Sequence, residues 1–264
     1  MKKRAKALPA PLRFLLVFAF WVGVWWIISA IVGKEVLIPS PPVVAVHLFG
    51  LLKTPDFYMS VGMSVLRITA GFAAAVLLGV ITGVLCAVSK TADALLSPLF
   101  SVIKATPVAS FIILALVWIN KELIPVFISA LMVLPVIHGN VREGIKSTDK
   151  ELLEMARIFG FSKKQTLTRI YLPSVAPYLT AGVKTCLGLA WKAGVASEVL
   201  CFAAYSIGNK LYQSKVYLET ADMFAWTVTV IVISVIIEKL LMSLVVRNRS
   251  RKRYDNSKKT EKVV

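Results

Sequence analysis

Residues 151–173 read ELLEMARIFGFSKKQTLTRIYLP, a charged, helix-forming interruption in an otherwise very apolar chain. Thr148 and Glu151 have the spacing of a capping box, which predicts a helix starting near Asp149. Leu152, Met155, Ala156 and Phe159 then fall on one face at helical spacing. Gly160 suits the left-handed position that ends a helix. Ser162 and Gln165 repeat the capping-box spacing, so a second short helix follows, and Pro173 marks the return to apolar sequence. The stretch therefore reads as a helix–glycine–helix elbow with one apolar and one charged face. By periodicity alone it is equally an ordinary amphipathic loop lying on a membrane surface.

The flanks identify the medium. The chain has 264 residues, of which 57% are hydrophobic and only 17% charged. Soluble domains run about 45–50% apolar and about 25% charged, so this is an integral membrane protein. Six spans are expected, near 14–32, 60–88, 95–119, 122–141, 174–203 and 223–246, the third interrupted by Lys104 and Pro107. The lysines and arginines set the orientation. With the N-terminus inside, twenty-one lie in inner segments and five in outer ones. Both ends and the elbow are then cytoplasmic. The N-terminal basic cluster resembles a signal peptide, but its apolar run is too long and no clear cleavage site follows, so it reads as an uncleaved first span.

The net charge of +17 raises the possibility of nucleic acid. The basic residues cluster beside spans, the signature of membrane orientation and anionic lipid, and no recognition helix appears. Cys86, Cys186 and Cys201 all lie in apolar sequence without a C-x-x-C and read as small core residues. His47 and His138 have no metal-ligand spacing. The prolines of Ile38-Pro39-Ser40-Pro41-Pro42 are expected to end the first helix, ahead of a surface-lying stretch to Leu52. Ala75, Gly79, Gly83 and Ala87 recur every four residues, a small-residue stripe that lets helices approach closely. The polar, basic tail after Val246 reads as disordered.

Charges inside spans are functional candidates by default. Arg67 and Glu198, in the outer parts of their spans, read first as a structural pair. Lys192 reads in two ways, as a cavity-lining cation that meets an anionic substrate or as a partner of Glu198. Lys184 lies eight residues earlier, about 80° round the helix at 100° per residue, so both lysines fit one cavity. No phosphate-binding G-x-x-x-x-G-K-[ST] is present, and Gly182-Val-Lys184-Thr185 lacks its loop. No nucleophile and base in a cleft are visible either, so the chain is not expected to be an enzyme.

The spacing of Glu154, Met155, Ala156, Gly160, Ile170, Leu172 and Pro173 resembles the EAA loop of ABC importer membrane subunits, with Met155 in place of the usual first alanine. Ser64-x-x-Arg67 with Gly71-Phe72, Leu37-Ile-Pro39-Ser40-Pro41, Gly188-Leu-Ala190-Trp191-Lys192 with Glu198, and Ser206-Ile-Gly208 resemble its nitrate/sulfonate/taurine branch. The glycine usual after the third-span tryptophan is absent from Val117-Trp118-Ile119-Asn120. The resemblance covers roughly residues 35–246.

It implies an all-α, six-span type I (MetI-like) permease in the cytoplasmic membrane of a prokaryote. Residues 1–58 would be a first helix plus outer segment, 59–246 the core with its coupling loop at 148–173, and 247–264 the tail. The loop would dock on a cytoplasmic ATPase. ATP and Mg would sit on that partner, with no cofactor on this chain. Two ATPases, a second permease copy, an outer binding protein and membrane lipid would complete the assembly, which moves a small anion. A permease for a thiamine-precursor type of nutrient is the neighbouring alternative. An ion-driven carrier or channel is the alternative from another class, and no internal repeat of the kind carriers show is visible.

Overall fold

The computed structural model describes residues 9–261, and among these the regular structure is helical throughout. The chain forms two compact units, one made of residues up to Tyr58 with Lys210–Thr229, the other of Met59–Asn209 with the helix from Val230 onward.

In the first unit, α1 (Ala10–Val32) is stopped by Gly33, which turns left-handed at φ 63° and donates its N–H to Ser29 O. The prolines act later than expected: Pro41 and Pro42 open α2 (Pro41–Leu51), where a missing N–H costs nothing. The link between the two helices turns at Lys34, whose carbonyl accepts from Leu37 N and Ile38 N, and is fastened to α1. Trp25 Nε1 donates to Pro39 O at 3.1 Å and Ser29 Oγ to Ile38 O at 2.8 Å. The same unit holds the start of α11 (Thr220–Glu261), where Asp222 meets His47 at 2.7 Å and Phe224 stacks on Trp25.

In the second unit, α3 (Pro55–Val88) packs on α6 (Ile124–Lys146) through its small residues. Ala75 is fully buried. A Cβ on Gly79 would lie 2.8 Å from Ile137, and one on Gly83 would lie 2.8 Å from Val141 and 2.9 Å from His138 O. The stripe predicted from sequence is thus a backbone-to-backbone seam, and Gly71 extends it, with Val126 O only 2.2 Å from where its Cβ would stand. α6 also packs closely along α9 (Leu172–Cys201). Gly182 meets Asn140 and Gly194 meets Ile68 and Ser129, whose hydroxyl donates to Ala190 O.

Among the described residues four helices are long and apolar enough to cross a membrane: α1, α3, α6 and the part of α11 up to Leu240. The expected third span is a bent pair, α4 (Lys90–Ala105) and α5 (Val108–Ala115), turned by 102° at Thr106-Pro107. Pro107 lacks the N–H that would continue the helix and biases Thr106 to extended backbone, here φ −83°, ψ 132°. The expected fifth span, α9, is helical over thirty residues but is not among those four. The basic tail, expected to be disordered, continues α11 to Glu261. No Gly or Pro follows Gly208, so nothing in the sequence breaks that helix.

Substituting Gly83 by Ala should destabilise the folded chain by about 1–3 kcal/mol, the usual cost of overpacking, because one of the atoms met is backbone. Thermal unfolding in detergent, compared with Gly62→Ala where the Cβ meets nothing, checks this.

Candidate functional site

The elbow lies between the end of α6 and the start of α9. Its first helix, α7 (Lys150–Ile158), starts where the sequence predicts, but the cap is Asp149, whose carboxylate accepts from Glu151 N at 2.8 Å. Thr148 instead donates its hydroxyl back to Gly144 O, closing α6. The helix ends in a Schellman turn: Gly160 stands at φ 66° and Phe161 N donates to Ala156 O at 2.8 Å. The second helix, α8 (Lys163–Thr166), carries the full capping box, Gln165 N to Ser162 Oγ and Ser162 N to Gln165 Oε1.

The second helix is not a separate piece, as the sequence suggested. It runs through a π-helical turn, Leu167–Tyr171, directly into α9. Leu172 N donates to Leu167 O, five residues back, and Pro173, with no donor, follows at once. A π turn beside a missing donor is a local fault in an otherwise continuous rod.

Of the seven elbow residues singled out, Ala156 and Ile170 are buried and anchor it. Glu154, Met155, Gly160, Leu172 and Pro173 are exposed. The helix also shows Leu152, Ile158 and Phe159 to solvent, Ile158 at 83% and Phe159 at 72%. Ile158 lies off the face predicted from periodicity and was missed there. Charged helices that leave such large apolar side chains uncovered mark an interaction surface.

The intramembrane charges are arranged differently from the expected pair. Arg67 does not bind Glu198; it forms its ion pair with Glu122 and donates to Ala204 O at 3.0 Å. Glu122 also accepts from Ala204 N at 2.9 Å. Glu198, fully buried, accepts from Ser64 Oγ at 2.8 Å and from Gly208 N at 3.2 Å, and Ser64 Oγ in turn accepts from Ile207 N. Two carboxylates thus pin one connection, the segment from Cys201 to Ile207, in which Phe202 and Tyr205 both take left-handed backbone. Glu122 was missed because it reads as part of a tight turn. Ser64 and Arg67 stood out in the sequence through the family resemblance of Ser64-x-x-Arg67.

Lys184 and Lys192 are both exposed on α9, away from its packed face, along with Ala181 and Ala196. A Cβ on Gly188, between them, would meet nothing within 4 Å. No group of His, Cys, Asp and Glu suited to a metal occurs among the described residues.

A family model described as "Binding-protein-dependent transport system inner membrane component" matches residues 75–253. The chain belongs to this family. It is a permease subunit of the ABC-importer type, a class in which the membrane chain is not the catalyst. It is 24% identical over 236 residues to a putative aliphatic sulfonates transport permease of Bacillus subtilis, covering 89% of this chain and 84% of that one. It is 28% identical over 200 residues to a nitrate import permease of Synechococcus elongatus, covering 72% and 71%. Among solved structures, a bacterial ABC transporter involved in alginate import shares the fold at TM-score 0.63, with 16% identity, 89% of this chain and 96% of that one.

Two outcomes test this geometry. Gly160→Val should cost about 1–2 kcal/mol, since the space is open but the backbone is left-handed; Gly160→Asn should cost less, as read by unfolding in detergent. Arg67→Met should destabilise more than the Arg67→Met/Glu122→Met double variant, because the single change leaves a partly buried carboxylate without its cation; a double-mutant cycle measures the difference.

Proposed function

We propose that this chain is the membrane half of an ATP-driven importer for a small anion, and that residues 148–173 take up the motion of a cytoplasmic ATPase. The observation that carries the reading is the elbow itself: a twice-capped, glycine-turned unit that exposes Leu152, Met155, Ile158 and Phe159 while Ala156 and Ile170 anchor it. Glu154 lies among those exposed residues, placed to meet a partner.

In the working assembly two copies of this chain cross the cytoplasmic membrane of a prokaryote, six spans each with both ends inside. Two ATPases, which carry the ATP and Mg, lie beneath, and an outer binding protein delivers the solute. The bent α4–α5 pair and α9 are the third and fifth crossings. Closure of the ATPases supplies the free-energy difference between inward and outward states, as alternating access requires. The α9 face bearing Lys184, Gly188 and Lys192 fronts the second copy and the path, where small residues allow close approach and the cations favour an anion. Relatives named for sulfonate, bicarbonate and nitrate support the charge of the solute. A bacterial alginate transporter of this fold, solved in complex with a ligand-bound periplasmic protein, supports the outer partner.

Glu154→Lys should lower ATP-driven uptake about tenfold or more, the loss of a charged contact across an interface, with the chain still folded in the membrane. Uptake in proteoliposomes at wild-type rate would refute the docking role. Lys192→Met should raise the apparent KM for the anion by about fivefold, more at low salt than at high; an unchanged KM at low salt would leave the lysine without a role in the path.

A further inference from the structure

The helix α4 presents three different faces. At 100° per residue, Leu96, Phe100 and Ile103 share one direction, and Phe100 and Ile103 are buried. Leu95, Leu99 and Val102 lie about 100° round from them and are exposed, as lipid-facing side chains are. Lys90, Ala94, Ser97, Ser101 and Lys104 form the third face, about 115° from the packed one and about 145° from the apolar one. Ser97 is half-buried and the other four are exposed. A helix that sets an exposed polar face against an exposed apolar face turns only the apolar one to lipid.

The polar face ends deep in the membrane. Asp93 pairs with Arg142 and Phe100 stacks on His138, so α4 follows the half of α6 that ends at Lys146. Beyond the bend, Ile112 and Ala115 of α5 pack with Ile124 and Ile128, near the other end of α6. The break at Thr106-Pro107 therefore lies beside the middle of that span. Its backbone is open: Ala105, Pro107 and Ala109 are exposed. Pro107 O accepts from Ser110 N and Phe111 N, and α5 has no side-chain cap, so the N–H groups of Val108 and Ala109 precede the first helical bonds. Irregular backbone at membrane depth is stable only inside protein or beside water. Lys104 stands in the last turn of α4, where a helix end favours a cation. It has no ion pair among the described residues. His138 lies eight residues before Lys146, about 12 Å along the helix. Lys104 is a further turn from Phe100, so its four-carbon stem falls short of the head groups at that end. A second copy laid over this face would bury an unpaired charge.

We propose that the Ser97, Ser101 and Lys104 face of α4, with the break that follows it, lines the water-filled path, and that Lys104 is a second cation met by the transported anion. Lys192 comes first for a solute from outside, since its neighbour Ala193 shares a core with Ile112 and Ala115, beyond the break. The order of the two lysines rests on the importer reading above; the contact of this face with water does not.

The test uses the assembled transporter in nanodiscs without ATP, with single cysteines introduced along α4. The native thiols Cys86, Cys186 and Cys201 are buried, so the wild-type chain is the blank. Ser97→Cys and Ser101→Cys should react with small, charged methanethiosulfonates at least about tenfold faster than Leu95→Cys, Leu99→Cys or Val102→Cys, because a thiol in lipid does not ionise. At Ser101→Cys a sulfonate-bearing reagent should outpace a trimethylammonium-bearing one about fivefold, after correction for their rates with a free thiol. That preference should vanish in Ser101→Cys/Lys104→Gln and return in Ser101→Cys/Lys104→Arg. Reaction at Ser97→Cys and Ser101→Cys as slow as on the apolar face would overturn the proposal, whether lipid or a second copy covers them. A reagent preference indifferent to Lys104→Gln would overturn the part given to the lysine. Uptake that needs no ATP would refute the importer reading and leave these rates standing. Slow reaction in a transporter with normal ATP-driven uptake would refute this proposal alone.

Discussion

The close approach of α6 to its two neighbours is the constraint on which the rest depends. Lipid tails are as apolar as leucine, so helices in a membrane gain little from hydrophobic burial and associate through van der Waals packing and hydrogen bonds. Here that packing is bought with glycine. Gly71, Gly79 and Gly83 bring α3 against α6, and Gly182 and Gly194 do the same for α9. A Cβ on Gly144, near the end of α6, would lie 3.1 Å from Val175 and Tyr178 of α9. The two ends of the elbow are therefore held by one closely packed helix pair.

The polar network at Cys201–Ile207 serves the same rigidity by other means. A buried carboxylate is tolerated only where its charge or its lone pairs find partners. One oxygen of Glu198, Oε2, finds a hydroxyl and a helix N-terminus, and Glu122 finds Arg67 and a backbone N–H. These bonds hold a connection that contains two non-glycine residues with positive φ, a strained path that local preference alone would not choose.

Much of this was legible in the sequence. Helical caps and glycine turns depend on residues a few positions apart, so the start of α7, the Gly160 turn and the Ser162–Gln165 box could be read directly. The small-residue stripe on α3 was legible for the same reason. What depended on distant residues was not. The partner of Arg67 is fifty-five positions away, and the sequence pointed only to the other carboxylate, Glu198. The π turn arises where α8 must join α9 across Pro173, which no short-range pattern announces. The sharp bend at Thr106-Pro107 was visible only as an interruption, because proline signals a break without its angle. The tail was misread because low hydrophobicity was weighed above the absence of any helix breaker.

The most direct test of the central claim is affinity purification of this chain from its native membrane under mild detergent and crosslinking. The account predicts an ATPase in the eluate, crosslinked through residues 151–159, together with an exported binding protein. An ATPase-free oligomer of this chain alone, recovered under the same crosslinking, would contradict it.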